Sequence, residues 1–273
     1  MSPGRSPLVL LHGYTDTPRT WDPLIPLLAE HHDVHAPATL GHAGGKLPER
    51  MDDPLDAMIR QVEADMDAAG IETAHLVGNS HGGWLALELA ARGRARSVVA
   101  LSPGGGWIDD AAKAKVIKLF KQTRRATELG APYFELIAKR PRLRKLALRD
   151  VVAHGDRIPP STALALLRGG LECEMFEPWA DAVQHGSGYP TELKKIDVPV
   201  RIAWGTQDRV LPKEACSPAF HALVPGAEWI DLPGAGHLPH HDEPRMVARV
   251  ILEVTTAPAE HEPAGADAFA ATA

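Results

Sequence analysis

Short aliphatic runs alternate with helical patterns over most of this chain, and that alternation limits the possible folds more than any other feature. Leu8–Leu11, "DVHAP", "AHLVG", "SVVAL", "PVRIAWG" and "AEWIDL" read as strands, the last two as short buried ones. Between the first two, "DPLIPLLAE" reads as a helix that Asp22 can cap, with Pro23 at its first position. "DDPLDAMIRQVEADMDAAG" is a stronger helix: Leu55, Ile59, Val62 and Met66 share one face, Asp53-Pro54 starts it and Gly70 stops it. "SHGGWLALELAARG" and "EPRMVARVILEV" supply two more. Strands joined by helical crossovers form an α/β fold, a doubly wound parallel sheet, here of about six strands.

From Gly104 to Gly188 the alternation stops, and only helical patterns with Pro/Gly punctuation remain. The expectation is a helical insertion between two strands, with "SPGGGW" as its entry hinge and "HGSGYP" as its exit. The chain then divides into a core of residues 1–103 and 189–256, an inserted cap of residues 104–188, and an Ala/Pro-rich tail, 257–273, of disordered composition. The insertion is basic, with 14 Lys and Arg against six acids from Gly104 to Gly170. Solvated helix faces account for such a balance; a lid that attracts anionic substrates is the sharper reading.

A chain of 273 residues can bury the core of such a fold. Its net charge of −6 gives no general affinity for nucleic acid or anionic membrane, so neither is expected as a partner. Cys173 and Cys216 provide no disulfide framework and fit a reducing cytoplasm. The apolar run before His12 is too short for a signal peptide or a membrane span, and no other run is long enough.

The stretch "GNSHGG", residues 78–83, lies where a strand should turn directly into a helix. Ser80 at that corner sits on a sharp, crowded turn, so positions 78 and 82 tolerate nothing larger than glycine, and the hydroxyl is lifted clear at a helix N-terminus. A serine hydroxyl is a weak nucleophile unless a base lies within hydrogen-bond reach and an acid orients that base. "WGTQDRVLP" puts Asp208 just past one strand, and "LPGAGHLPH" puts His237 in a loop after the last. All three fall at the carboxyl ends of strands, where open parallel sheets place their sites. The oxyanion of an acyl-transfer intermediate needs donors, for which the N–H groups of His81 and Tyr14 are the candidates, with Gly13 keeping the approach open. Asp208 as a surface cap residue, and Asp109 or Asp110 as the acid, are the weaker assignments.

With these pieces in place the chain resembles the α/β-hydrolase superfamily, through "LVLLHGY", "HLVGNSHGG", "VPVRIAWGTQDRVLP" and "GAGHLPHHDEP" in that order, from about Leu8 to Val254. The resemblance implies a nucleophile at Ser80, an acid at Asp208, a base at His237, oxyanion donors at Tyr14 and His81, and a cap at 104–188. It implies no metal and no organic cofactor. Two departures stand out. Too few residues precede Leu8 for the family's usual initial strands, which leaves "DVHAP" at an open edge. The family's "DxxGxGxS" segment reads "ATLGHAGG" here, a change expected to alter loop packing more than chemistry.

Trp107, Phe120, Phe134, Phe176 and Trp179 in the insertion are candidates for the substrate pocket or for the core of the cap. His12 is placed beside the pocket, holding the turn, and the side chain of His81 is expected as a pocket wall. His31, His32 and His35 read as surface residues. "HLPHH" brings His237, His240 and His241 close in sequence, but Pro239 breaks their alignment and nothing completes a metal set. The expected activity is hydrolysis of a small ester-like substrate, as a carboxylesterase. The alternatives are a carbon–carbon bond hydrolase, for which "GNSHGG" fits but "HGYTDT" replaces the usual "HGxGPG", a cofactor-free haloperoxidase or perhydrolase, and a non-catalytic small-molecule-binding scaffold. Serine at position 80, where a dehalogenase or epoxide hydrolase would carry aspartate, argues against those two.

Overall fold

In the computed structural model, which describes residues 4–185 and 192–257, the strands are β1 (Ser6–Leu11), β2 (His32–His35), β3 (Ala74–Asn79), β4 (Ala95–Leu101), β5 (Val200–Gly205) and β6 (Glu228–Leu232). They form one sheet in the order β2-β1-β3-β4-β5-β6, and every neighbouring pair is parallel. The chain runs from β1 outward to β2 and then returns to lay β3 on the other side of β1, so the carboxyl ends of β1 and β3 make the switch point where a crevice opens.

Side-chain alternation assigns the two faces. Leu8 and Leu10 point to one side and join Trp21, Val77, Val99 and Ile251; Val9 and Leu11 point to the other and join Leu76, Ile59 and Trp84. The helices between β1 and β4 are α1 (Ile25–Leu28), α2 (Pro54–Ala68) and α3 (His81–Ala91). In α2 the expected face is buried, Asp53 accepts from the N–H groups of Leu55 and Asp56, and Gly70 follows with φ +70°. The helix expected at "DPLIPLLAE" is shorter. A 3₁₀ turn covers Pro18–Trp21, Asp22 lies at its C-terminal end instead of capping, and α1 begins only at Ile25. Pro26 explains this: with no N–H, and with its ring against the carbonyl four residues back, it allows only a helix in which it stands in the first turn.

Between β4 and β5 the described residues form no strand. They form α4 (Asp110–Gly130), α5 (Phe134–Lys139), α6 (Pro141–Ala147), α7 (Pro160–Gly169) and α8 (Phe176–His185). Past β5 come α9 (Lys213–Cys216), α10 (Pro218–Leu223), α11 (Pro239–Asp242) and α12 (Pro244–Thr255). Most of the exit hinge and all of the tail beyond residue 257 lie outside the described residues. No helix among those described is long and apolar enough to cross a membrane.

Two strand readings change. β6 is the far edge of the sheet and only Leu232 is fully buried, so "AEWIDL" is half-exposed rather than interior. The opposite edge is β2, as expected, but His32 is buried there, its ring bonded to Ser6 Oγ (2.9 Å) and Thr255 Oγ1 (2.8 Å). A ring with a partner at each nitrogen can be buried without loss.

Candidate active site

Ser80 ends β3 and opens α3 with φ +56° and ψ −119°, a conformation that a side-chain-bearing residue adopts only under constraint. The constraint is visible. A Cβ on Gly78 would stand 2.0 Å from the carbonyl oxygen of Gly82, and one on Gly82 would stand 2.1 Å from that of Leu11. Strand, turn and helix are therefore in backbone contact, and the serine is held by that contact. Its own carbonyl accepts from Gly83, Trp84 and Gly104.

Asp208 lies in the turn after β5. Its Oδ1 accepts from the N–H groups of Val210 (2.9 Å) and Leu211 (2.8 Å), which leaves Oδ2 for the imidazole of His237. Trp204, fully buried, donates from Nε1 to the carbonyl of Leu211 and secures the far side of the turn. His237 Nδ1 and Asp208 Oδ2 are 2.8 Å apart, and both side chains are almost entirely buried. A carboxylate can only accept, so Nδ1 carries a proton, and in the neutral ring the lone pair is then on Nε2. That is the tautomer a general base requires.

The His237 loop is tied down from two sides. Asn79, the residue before Ser80, is fully buried and donates from Nδ2 to the carbonyls of Leu101 (3.1 Å) and His237 (2.9 Å). Asp242 in α11 accepts from Gly236 N (2.8 Å), Ala153 N (3.0 Å) and His154 N (2.8 Å), and Leu238 N donates to the carbonyl of Val151 (2.8 Å). The loop carrying the histidine is thus stapled to the chain between α6 and α7. Neither Asn79 nor Asp242 was singled out by sequence. Their partners are distant in the chain, and nothing local marks them.

The loop after β1 lies over Ser80: a Cβ on Gly13 would be 3.4 Å from Ser80 Cβ. His12 donates from Nδ1 to Gly13 O (2.9 Å) and accepts at Nε2 from Thr39 N (3.0 Å). His42 donates to Leu40 O (3.0 Å) and accepts from Thr15 N (3.2 Å). One nitrogen of each ring must accept, so both rings are neutral. Burial agrees, lowering His12 to a pKa of about 3, with His42 beside it adding to the effect, and His42 to about 4. The departure "ATLGHAGG" thus has a function in packing: it brings His42 under the loop of Tyr14. Tyr14 is fixed through its hydroxyl to Phe176 O (2.6 Å) and by stacking on Trp179, with ring centres 3.9 Å apart.

Ser80, His237, Tyr14, Gly13 and Asn79 line one cavity of about 140 Å³. Its remaining walls are largely aliphatic, from Leu119, Leu148, Val151, Leu166, Leu167 and Leu238, with Phe120 among them. Of the two places open to the other aromatic candidates, the structure gives packing rather than the cavity. Trp107, Phe134, Phe176 and Trp179 do not face this cavity, and neither does His12. Phe176 and Trp179 pack behind Tyr14, Trp107 packs against the main core, and Phe134 is buried near Gly130. Large rings bury more area when enclosed on both faces than as one wall of a cavity, and sequence reports their size but not their direction. His81 is likewise core. Its ring accepts at Nδ1 from Trp179 Nε1 (3.1 Å), and burial, helped by His42 and His12, keeps its pKa well below the usual range. His240 and His241 share the Thr20 hydroxyl, at 2.8 and 3.1 Å, and among the described residues no group of His, Cys, Asp or Glu gathers that could hold a metal ion.

Two carboxylates line the cavity, Asp16 and Asp150, and no lysine or arginine does. The positive charge of the insertion therefore faces elsewhere. Asp16 accepts from Thr17 N at Oδ1 (2.8 Å), while its Oδ2 is buried without a hydrogen-bond partner. Burial pushes its pKa up to about 6, against the opposing pull of Thr17 N–H, the Thr20 hydroxyl and nearby His237.

The sequence pattern of the Alpha/beta hydrolase family matches residues 8–250. The chain belongs to that family. Among its relatives, an epoxide hydrolase, EphH, of Mycobacterium tuberculosis is 31% identical over 192 residues, covering 70% of this chain and 89% of that one. A carboxylesterase, YbfK, of Bacillus subtilis is 24% identical over 250 residues, covering 90% and 78%. Among solved structures, the 2-hydroxy-6-oxo-6-phenylhexa-2,4-dienoate hydrolase of Rhodococcus sp. strain RHA1 superposes with a TM-score of 0.72 at 21% identity, over 93% of this chain and 91% of that one. At that identity the likeness concerns the fold alone. The chain is accordingly an α/β hydrolase by family and by architecture.

Proposed function

We propose that this α/β hydrolase is a serine hydrolase that cleaves a carboxylic ester or a related acyl bond through an acyl-enzyme. The observation that carries the reading is the buried His237–Asp208 pair, 2.8 Å apart, opening on the same cavity as Ser80. In this reading His237 Nε2 takes the proton of Ser80 as its oxygen attacks the carbonyl carbon. Asp208 stabilises the imidazolium that forms and keeps the ring in one tautomer. The N–H groups of Tyr14 and His81 receive the oxyanion, each contributing on the order of 3 kcal/mol to the transition state. The protonated imidazole then releases the alcohol, and water activated by His237 cleaves the acyl-enzyme. No metal or organic cofactor enters.

Serine at position 80 favours acyl transfer over epoxide opening, although EphH is named for the latter. Alkyl-enzyme chemistry of that kind calls for a carboxylate nucleophile. The cavity also favours an uncharged acyl group. A dienoate carboxylate, as in the carbon–carbon hydrolase reading, would meet Asp16 and Asp150 with no lysine or arginine to neutralise it. The basic insertion is not read as a selector of anionic substrates for the same reason.

Ser80→Ala should abolish turnover of a short p-nitrophenyl ester and labelling by a fluorophosphonate while leaving the circular dichroism spectrum unchanged. Labelling that persists in the alanine variant would remove Ser80 from the mechanism. A wild-type protein that neither labels nor turns over would favour the binding-scaffold reading.

A further inference from the structure

We propose that the outer face of residues 129–149 is a docking surface for an anionic lipid interface. This segment, from the last residue pair of α4 to two residues past α6, inverts the usual rule of burial. α6 buries Arg144, whose guanidinium donates to the carbonyls of Ala138 (2.6 Å) and Asp156 (3.0 Å), and leaves Leu143 and Leu146 in water. Leu129 is 80% exposed, Tyr133 61%, Leu136 50% and Leu146 59%. Folding alone favours the opposite arrangement, and a cluster of exposed leucines in one short stretch marks a surface that meets something apolar.

Charge identifies what it meets. Residues 129–149 carry six Lys and Arg against one acid, Glu135. Lys139, Arg140, Arg142, Lys145 and Arg149 are all exposed beside the leucines. Glu135 is shared between Lys139 (4.0 Å) and Arg168 (3.2 Å), while Asp156 and Asp150 stand 3.8 and 3.7 Å from Lys145 and Arg149. Arg140 and Arg142 have no carboxylate within ion-pair distance among the described residues. A second copy of the chain would bring two such positive faces together, which opposes self-association. Nucleic acid would use the charge but not the leucines. An interface with anionic headgroups over acyl chains uses both, and basic residues interleaved with exposed Leu and Tyr are the pattern of surface-lying segments. The net charge of −6 pointed away from membranes because it averages over the chain; the basic face is local.

The position suits the site. On the inner side of the same segment, Ala147 and Leu148 line the cavity of Ser80 and His237. Docking would therefore set that cavity beside the apolar layer. The binding claim itself does not depend on the chemistry at Ser80.

The test is flotation of the full chain with phosphatidylcholine vesicles, with and without phosphatidylglycerol. The expected result is binding to the mixed vesicles, weakened by salt, and little to phosphatidylcholine alone. Arg142→Gln, Lys145→Gln and Arg149→Gln together should lower the partition coefficient roughly 100-fold, at about fivefold per residue. Leu143→Ser with Leu146→Ser should lower it by about tenfold or more at unchanged charge. Both variants should keep wild-type turnover of a soluble ester, because none of these residues touches the cavity. Three outcomes overturn the proposal: equal binding to both vesicle types, wild-type binding by either variant, or no vesicle binding. If the unbound protein instead sediments as a dimer that the leucine variant dissolves, the occupant is a second copy. If it instead retains duplex DNA, the occupant is nucleic acid.

Discussion

Replacing Asp242 with alanine tests whether the His237 loop is held in place by its carboxylate. The side chain is 8% exposed and accepts three backbone N–H groups, from Gly236, Ala153 and His154, at 2.8–3.0 Å. Hydrogen bonds to a charged acceptor contribute about 1.5–3 kcal/mol each, and a buried donor left bare costs a similar amount. The three share one acceptor and water can reach part of the gap, so the terms do not add; a loss of roughly 3–5 kcal/mol is expected. For a protein of this size that lowers Tm by about 6–15 °C. Asp242→Asn keeps one carbonyl acceptor but turns an NH₂ toward one of the N–H donors, and should lose about half as much. The second readout separates local from global effects. At 25 °C, far below either melting temperature, the histidine backbone would still be tied through Asn79 but no longer to residues 153–154. A displacement of about 1 Å costs roughly 100-fold in rate, so kcat and the fluorophosphonate labelling rate should fall 10- to 100-fold in the alanine variant with KM little changed, and recover partly in the asparagine variant. Alanine variants that melt within 2 °C of wild type and keep their kcat would refute the clamp.

Two pH-dependent predictions follow from buried groups of opposite sign. His12 and His42 are held neutral, at pKa values of about 3 and 4 against 6.5 when unfolded, so the unfolded chain binds more protons and stability is lost as pH falls below 6.5. Each contributes about 1.4 kcal/mol per pH unit, or roughly 3–4 kcal/mol for the pair between pH 6.5 and 5, measurable by urea unfolding; a flat profile over that range would contradict their assignment as neutral core residues. Asp16 acts the other way. Its folded pKa of about 6 lies above the unfolded 3.8, so the folded state binds the extra proton and stability falls as pH rises through that window. Asp16→Asn should therefore stabilise the protein by up to about 2–3 kcal/mol at pH 8 and by almost nothing at pH 4, and equal effects at both would show that the carboxyl is not buried as described.

The sequence made the sheet readable because its signals are local. Aliphatic runs of strand length, the Asp53 cap and Gly70 all report on their own neighbourhood. Ser80, Asp208 and His237 were readable for the same reason, each standing just past a strand in a segment that cannot continue it. What escaped reading is long-range. Asn79 fills a variable-looking position of "GNSHGG", yet its amide spans 158 residues to the carbonyl of His237. His42 sits in a glycine-rich loop and meets Thr15 only after folding. For the aromatic residues of the insertion the sequence leaves pocket and cap core open, and Phe120 takes the first place while Phe134, Phe176 and Trp179 take the second, since periodicity says which residues turn inward and not which of two interiors they reach.

Several of the points where local rules and the final structure disagree lie together at one corner of the molecule. Ser80 and Thr15 take positive φ without being glycine, Asp16 keeps a buried oxygen without a partner, and His12, His42 and His81 are interior histidines held neutral. All lie on or directly behind the cavity at the ends of β1 and β3. The sheet faces away from that corner are filled with Leu, Val, Ile and Trp, as a chain shaped only by stability would be throughout. Strain and desolvated polar groups each cost stability, and the apolar alternatives at these positions are simple ones. Such features occur singly elsewhere, as at Arg144 and His32, but strain, an unpartnered carboxylate oxygen and three neutral histidines meet around one serine, a physical reason independent of family likeness for placing the chemistry there.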